Sequence, residues 1–123
     1  MFFKTHVRWV QLISNSEFVG NYIENEIYSV SFEGKSCLAI KCEMRLRVFD
    51  DTCPHQGISL KDGICKNNQV ICPWHKYAYC LKSGKDLSTS GNALKIYDTK
   101  LENEFWYVGV EEKFPFWMDP VLI

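Results

Sequence analysis

Two short segments, each joining a cysteine to a histidine through a proline, constrain this chain more than any other feature. Cys53-Pro54-His55 is followed after an intervening stretch by Cys72-Pro73-Trp74-His75. Each segment offers one thiolate and one imidazole, and the prolines stiffen the backbone, so less entropy is lost when the ligands become ordered. We therefore predict that two loops converge on one metal centre, with four ligands: Cys53, His55, Cys72 and His75.

This donor set is compatible with two kinds of metal centre. A 2Fe–2S cluster takes four protein ligands, two on each iron, and replacing thiolates by neutral imidazoles makes the cluster easier to reduce. Tetrahedral zinc accepts the same ligand types. Zinc modules usually pair Cys with Cys and His with His, whereas each segment here is mixed. We favour the iron–sulfur cluster and keep a zinc-stapled interaction module as the alternative.

The rest of the chain has the pattern of short strands broken by turns. No segment has the sustained 3.6-residue period of a long helix, although residues 14–22 could form one short helical turn. Between residues 50 and 84, prolines and glycines punctuate a loop-rich insert. At 123 residues, we predict one all-β domain, 1–123, with the insert within it. The predicted strands are 7–13, 27–32, 37–42, 46–49, 94–101 and 105–110, the last two as a closing hairpin.

The metal-binding segments and their surroundings resemble the Rieske-type 2Fe–2S ferredoxin family. The matching residues are Cys53-Pro54-His55-Gln56-Gly57-Ile58-Ser59-Leu60, Gly63, Cys72-Pro73-Trp74-His75, Leu81 and Gly84. The resemblance implies a Rieske-like β-sandwich base that carries a small loop-rich cluster-binding subdomain at about residues 50–85. It also implies that Cys53 and Cys72 hold the inner iron. His55 and His75 would then hold the outer, exposed iron.

The residues around the ligands indicate which branch of that family the chain resembles. Rieske proteins of the cytochrome bc complexes join the two loops by a disulfide, whose cysteines would fall at Ile58 and Trp74. Neither position is cysteine, so the chain resembles the soluble, oxygenase-associated branch with lower reduction potentials. The Tyr79 hydroxyl is expected to donate to a cluster-cysteine sulfur, which would raise the potential. The alternative is that Tyr79 is only a half-buried strand aromatic.

Two further positions are expected to shape the loops. Gly57 permits a turn with positive φ just after the first ligand pair. Lys76 stands where the family usually has glycine directly after the second histidine. We therefore expect Lys76 to adopt a backbone geometry that glycine fills elsewhere, and to place a cation near the outer iron.

The insert is basic although the whole chain has a net charge of −1. Residues 52–82 carry four lysines, Lys61, Lys66, Lys76 and Lys82, against the single acid Asp62. We interpret this as a basic cluster end that steers an acidic redox partner onto the exposed histidines. The alternative is that the lysines merely solubilise a loop-rich region. The overall charge gives no reason to expect nucleic-acid binding.

The function that follows is one-electron transport between proteins. The resemblance implies a non-catalytic ferredoxin that passes electrons from a flavin-containing reductase to a terminal oxygenase or similar enzyme, without catalytic residues or a small-molecule substrate. The alternative is a small subunit of a larger reductase, such as nitrite reductase. No apolar run approaches the roughly 18 residues that span a bilayer, and no secretion signal is evident, so we expect a cytoplasmic protein without a membrane partner.

The remaining cysteines and the C-terminal segment receive structural interpretations. We expect Cys37, Cys42, Cys65 and Cys80 to be buried as small hydrophobic residues. Cys37 and Cys42 are an odd number of residues apart on one strand and should face opposite sides. A disulfide between Cys65 and Cys80 stays open. The apolar segment 114–123 is expected to pack along the base, with partner docking or dimer formation as the alternative.

Overall fold

Antiparallel strands make up just over half of the residues described by a computed structural model, which are residues 3–54, 57–74, 76–87 and 92–115. This confirms the predicted all-β class. The elements in order are β1 Phe3–Ser14, α1 Asn15–Asn21, β2 Ile27–Phe32, β3 Lys35–Cys42, β4 Arg45–Asp50, β5 Ile64–Lys66, β6 Gln69–Ile71, β7 Ala78–Cys80, β8 Ile96–Tyr97, β9 Thr99–Glu102 and β10 Phe105–Pro115. Among the described residues, no helix is long and apolar enough to cross a membrane.

Three sheets are stacked around two apolar layers. The outer base sheet has the order β1-β10-β9, the central sheet β2-β3-β4-β8, and the small sheet of the insert β5-β6-β7. One buried layer joins the outer and central sheets through residues such as Val48, Trp106 and Val108. The other joins the central sheet to the insert through Leu38, Phe49 and their neighbours. The central sheet is therefore apolar on both of its faces, which explains the nearly continuous burial along β3.

Tight turns with positive φ close the hairpins. Residues 33–34, 43–44, 67–68 and 103–104 each form a two-residue loop with both φ angles positive. Such turns match the right-handed twist of the strands they join. The last of these turns joins the two strands that the sequence predicted as a closing hairpin. Only the first of the four turns contains a glycine, so glycine alone does not mark these hairpins.

The predicted strand over residues 94–101 is instead two strands in different sheets. Ile96–Tyr97 pairs with β4 in the central sheet, whereas Thr99–Glu102 pairs with β10 in the outer sheet. The chain crosses between the sheets at Asp98, whose carbonyl accepts a hydrogen bond from the Gly109 N–H at 2.8 Å. The closing hairpin is therefore β9–β10, and the residues before it belong to the other base layer.

A long ribbon joins the two ends of the described chain. β1 and β10 pair from Phe3 opposite Pro115 to Ser14 opposite Phe105. Arg8 on this ribbon forms ion pairs with Glu33, in the β2–β3 turn, and with Glu112, which lies on β10 diagonally opposite Arg8. The first part of the expected C-terminal strap, Phe114 and Pro115, thus continues β10. Residues 116–123 lie outside the described residues, so the strap remains a prediction there.

Four of the cysteines occupy distinct environments. Cys37 lies in the layer between the base sheets and Cys42 in the layer beneath the insert, which confirms that they face opposite sides. Cys65 is buried on β5, and β6 separates it from Cys80 on β7. None of the six cysteines forms a disulfide bond. The disulfide between Cys65 and Cys80 that the sequence left open is therefore not formed.

These environments give Cys65 and Cys80 opposite reactivities. Burial raises the pKa of the Cys65 thiol to about 12. A hydrogen bond with the Ser83 side chain lowers the pKa of the Cys80 thiol, and Cys80 is only partly buried. The expectation that all four cysteines outside the motif are buried therefore fails at Cys80.

Gly84 lies in the closely packed loop that follows β7, and a substitution at this position tests that packing. It has a φ of 80°, and a Cβ there would lie 2.0 Å from the Leu94 carbonyl oxygen. We expect Gly84→Ala to lower the free energy of unfolding by about 3 kcal/mol, because a steric clash adds to a left-handed backbone. Gly34 is the matched control, since its φ is 78° and nothing lies within 4 Å of an added Cβ.

Chemical denaturation of the two alanine variants measures the difference. Gly34→Ala should cost only about 1–2 kcal/mol, the penalty of the left-handed conformation alone. Equal losses in the two variants would contradict the close approach of Gly84 to Leu94.

Thiol labelling tests the environment of Cys80. We expect Cys80 to react with iodoacetamide near neutral pH well before Cys65, because thiolate fraction and exposure control the rate of alkylation. Peptide mapping by mass spectrometry identifies the labelled position, and Ser83→Ala should slow the reaction at Cys80. Faster labelling of Cys65 would contradict the burial of its side chain on β5.

Candidate metal centre

The first ligand loop is a tight turn fixed by backbone hydrogen bonds. The Cys53 carbonyl accepts from the Gly57 N–H at 2.9 Å, and the Cys53 N–H donates to the Ile58 carbonyl at 2.8 Å. Gly57 has a φ of 67° and open space around its Cα. Its lack of a side chain therefore serves the backbone conformation, as the sequence led us to expect, and none of the described residues lies within 4 Å of an added Cβ.

A clamp that the sequence reasoning missed holds the same loop to the end of β4. The Asp51 carbonyl accepts from the Leu60 N–H at 2.6 Å. The Asp51 carboxylate accepts from the Ser59 hydroxyl. Leu60 is fully buried between the loop and the central sheet. The available signal was the position of an acidic residue just after a predicted strand, with a serine eight residues later.

The second ligand loop is closed in a similar way. Cys72 directly follows β6, and its N–H donates to the Tyr77 carbonyl at 2.7 Å, immediately before β7 begins. The loop therefore spans residues 72–77 and is held at both ends by the small sheet. Trp74 within it is 58% exposed.

The two loops bring their cysteines together at the edge of the apolar layer. Cys53 and Cys72 are both fully buried, in the layer that joins the insert to the central sheet. Burial raises the pKa of the Cys72 thiol, and the adjacent Cys53 thiol also raises it. The pair is not joined by a disulfide. Two unbridged thiols side by side at the ends of two loops form half of the predicted ligand set.

The two histidines of the predicted set, His55 and His75, lie outside the described residues. Within residues 3–54, 57–74, 76–87 and 92–115, no group of three His, Cys, Asp or Glu side chains gathers to hold a metal ion. In the sequence, His55 lies between Cys53 and Ile58, and His75 lies between Cys72 and Tyr77. Each histidine therefore belongs to one of the two ligand loops.

Tyr79 contacts the ligand pair directly. Its hydroxyl oxygen lies 3.3 Å from the Cys53 sulfur, within hydrogen-bond range for sulfur. Tyr79 is fully buried, in a cross-strand row with Cys65 and Val70 that faces the central sheet. The structure therefore supports the interpretation that the Tyr79 hydroxyl contacts a ligand-cysteine sulfur, and not the alternative of a half-buried strand aromatic.

Lys76 adopts the left-handed backbone expected from its position. Its φ is 58° and its side chain is exposed. It lies inside the closed loop that begins at Cys72, and its charge favours the thiolate form of Cys72, against the larger effect of burial. A cation is thus present in the loop that begins at Cys72.

The other lysines of the insert are not at the ligand end. Lys66 pairs with Gln69 in the turn remote from Cys72, and Lys82 follows the far end of β7. That turn rests on the base, because the Cys42 thiol donates to the Asn68 side-chain oxygen at 3.4 Å.

Lys61 lies on another side of the insert. It lines a cleft together with the acidic Glu24 and Glu26 of the base. The predicted basic cluster end is therefore wrong in its extent. Of the four lysines that suggested it, only Lys76 lies within a ligand loop.

Comparison with known proteins connects this site to a family. The chain matches the Rieske [2Fe-2S] domain family over residues 8–98. It is 26% identical over 98 residues to the ferredoxin component of the naphthalene 1,2-dioxygenase system of Pseudomonas putida, a match that covers 79% of this chain and 90% of that protein. The 3-phenylpropionate/cinnamic acid dioxygenase ferredoxin subunit of Photorhabdus laumondii is 32% identical over 66 residues, covering 52% of this chain and 63% of the relative.

Solved structures share the fold at lower sequence identity. The ferredoxin of Sphingomonas yanoikuyae B1 superimposes with a TM-score of 0.68 at 17% identity, covering 82% of this chain and 97% of that one. A putative NADPH nitrite reductase small subunit gives a TM-score of 0.68 at 19% identity, covering 82% and 97%. Both the carrier and the reductase-subunit interpretations are thus compatible with the fold.

The family match includes both ligand loops and the whole central sheet, and it confirms the resemblance noted from the motif. It also identifies the cofactor as a Rieske-type 2Fe–2S cluster, which disfavours the zinc-stapled module. This chain belongs to the Rieske [2Fe-2S] domain family.

Proposed function

We propose that this protein is a one-electron carrier that takes electrons from a flavin-containing reductase and delivers them to a terminal oxygenase. The observation that carries the proposal is the convergence of Cys53 and Cys72, buried and unbridged, from two loops within the matched Rieske domain. The relatives by sequence support the pathway, since they are named as ferredoxin components of dioxygenase and monooxygenase systems. In a structural neighbour, a ferredoxin is in complex with the oxygenase of carbazole 1,9a-dioxygenase.

The residues present fit the cluster that the family implies. We propose Cys53 and Cys72 as ligands of the inner iron, because they are adjacent, buried thiols. We propose His55 and His75 as ligands of the outer iron, because each occupies the same loop as one of these cysteines. The bound cluster supplies a site that stores one electron reversibly.

The chain itself holds the two cysteines in fixed positions. Both lie in an apolar layer, and each ligand loop is closed by a backbone hydrogen bond of its own. A rigid site changes little in geometry between oxidation states, which favours fast electron exchange. Trp74, exposed on the second loop, is positioned to contact a protein partner.

The carrier role explains the comparisons better than the reductase-subunit alternative. The likeness to the nitrite reductase small subunit is one of fold alone at 19% identity. The relatives by sequence are instead named as ferredoxin components, and the first of them is covered over 90% of its length. We therefore propose no catalytic residue and no small-molecule substrate for this chain.

Domain organisation and location are part of the same proposal. We propose that residues 1–123 form one domain, because the shared apolar layer joins the insert to the base. A single unfolding transition, seen by both cluster absorbance and far-ultraviolet circular dichroism, would support this. We propose a cytoplasmic location, since four cysteines outside the proposed ligand set, none of them in a disulfide, are typical of a protein in a reducing compartment. Fractionation of the native host cells would test it.

Metal and sulfide analysis tests the proposed ligands. We expect two irons and two acid-labile sulfides per chain, and loss of both in Cys53→Ser, Cys72→Ser, His55→Ala and His75→Ala. Cys37→Ala is the matched control, because Cys37 is equally buried but lies in the other apolar layer. One zinc per chain, or a full cluster in the ligand variants, would contradict the proposal.

The Tyr79 hydroxyl is expected to tune the potential. A hydrogen bond to the Cys53 sulfur stabilises the more negative, reduced state. We expect Tyr79→Phe to lower the midpoint potential by about 40 mV, which corresponds to one hydrogen bond of about 1 kcal/mol in a one-electron couple. Protein-film voltammetry measures the shift.

Tyr97→Phe serves as the control for this substitution. The Tyr97 hydroxyl also donates a hydrogen bond, to Asp50 at 2.8 Å, but its side chain lies in the layer between the base sheets. The midpoint potential of this variant should stay at the wild-type value. An unchanged midpoint in Tyr79→Phe would show that its hydroxyl does not act on the cluster.

A further inference from the structure

The backbone of Lys76 is unusual among the left-handed residues of this chain. The described non-glycine residues with positive φ are mostly in two-residue hairpin loops, where the turn itself demands that conformation. Lys76 lies instead in the ligand loop closed by the Cys72–Tyr77 hydrogen bond. A lysine there is strained by about 1–2 kcal/mol, which glycine would avoid. The chain therefore tolerates a destabilising backbone at the position next to a proposed ligand.

The position of the Lys76 side chain offers a reason. Its ammonium group belongs to an exposed residue of the loop that begins at the buried Cys72. The other lysines of the insert lie elsewhere: Lys66 and Lys82 at the end that rests on the base, and Lys61 beside Glu24 and Glu26. Among these four lysines, Lys76 is thus the one that lies within a ligand loop.

We propose that Lys76 is a tuning residue whose ammonium group raises the reduction potential of the cluster. This inference rests on the proposed function, because it requires a cluster between the two loops. One electron enters from an external one-electron donor, no covalent bond forms or breaks, and the charge of the site becomes more negative by one unit. A fixed cation nearby favours the reduced state over the oxidised state by Coulomb attraction.

Charge and backbone conformation can be separated by three substitutions at this position. Lys76→Gln removes the charge and keeps a side chain on the left-handed backbone. Lys76→Gly removes both the charge and the strain. Lys76→Arg keeps the charge and the strain. Lys82→Gln is the matched control, since it removes the same charge from an exposed lysine at the far end of the small sheet.

The midpoint potential and the thermal stability are measured for all variants at low and high salt. At low salt, Lys76→Gln and Lys76→Gly should both lower the midpoint, with a change of about threefold to tenfold in the one-electron equilibrium. Lys76→Arg and Lys82→Gln should stay near the wild-type value. High salt should shrink the difference between wild type and Lys76→Gln, because the interaction is partly screened.

Thermal stability provides the second readout. Lys76→Gly should raise the melting temperature by relieving strain, while Lys76→Gln and Lys76→Arg should not. If both uncharged variants keep the wild-type midpoint, the inference is overturned. It is also overturned if the glycine variant alone shifts, because the backbone and not the charge would then set the potential.

The experiment separates failure of this inference from failure of the proposed function. Visible absorbance and iron and sulfide counts are recorded for every sample before the potential is measured. A wild-type protein without a 2Fe–2S cluster refutes the proposed function. A complete cluster with an unchanged midpoint refutes only the role of Lys76. If Lys76→Gln assembles poorly, Lys76→Asn takes its place, because it also removes the charge and keeps a side chain on the left-handed backbone.

Discussion

The packing of the small β5-β6-β7 sheet against the central sheet determines where the chemistry of this protein can occur. A cross-strand row of Cys65, Val70 and Tyr79 is buried against the face of the central sheet that points away from the outer base sheet. Because Cys72 follows β6 directly, fixing this row also fixes the second ligand loop. The same row brings the Tyr79 hydroxyl to Cys53 on the first loop. One apolar interface thus positions both thiols and the group that contacts them.

This dependence explains why the central sheet is apolar on both faces. On β3, Ala39 points into the layer between the base sheets, while Leu38 and Ile40 point into the layer beneath the insert. A strand with one wet face would alternate polar and apolar residues, whereas β3 is almost continuously buried. The insert is therefore a third layer of the fold, whose ligand loops project from a shared core.

The sequence predicted the all-β class and the convergence of Cys53 and Cys72 better than it predicted which sheet each strand joins. The mixed Cys-Pro-His segments pointed to the ligand loops because the chemistry of a metal site restricts residue type and spacing together. The positive φ of Lys76 followed from its place in the motif. The division of residues 94–101 between two sheets could not be predicted in the same way. It depends on the hydrogen bond between Asp98 and Gly109, which lie on different segments of the chain. The local pattern of apolar residues gives no sign of this contact.

Charge and thiol chemistry show a related limit. The count of lysines between residues 52 and 82 predicted a basic end at the cluster. In the structure, however, the chain reverses direction after each three-residue strand, so Lys66 and Lys82 lie at the end of the small sheet that is remote from the ligands. The same reversal gives the cysteines their separate environments. Cys65 faces the core on β5, whereas Cys80, one strand beyond β6, is partly exposed beside Ser83. Residues close in sequence and identical in type differ here because the direction and face of a three-residue strand decide whether a side chain meets the metal site, the base or solvent.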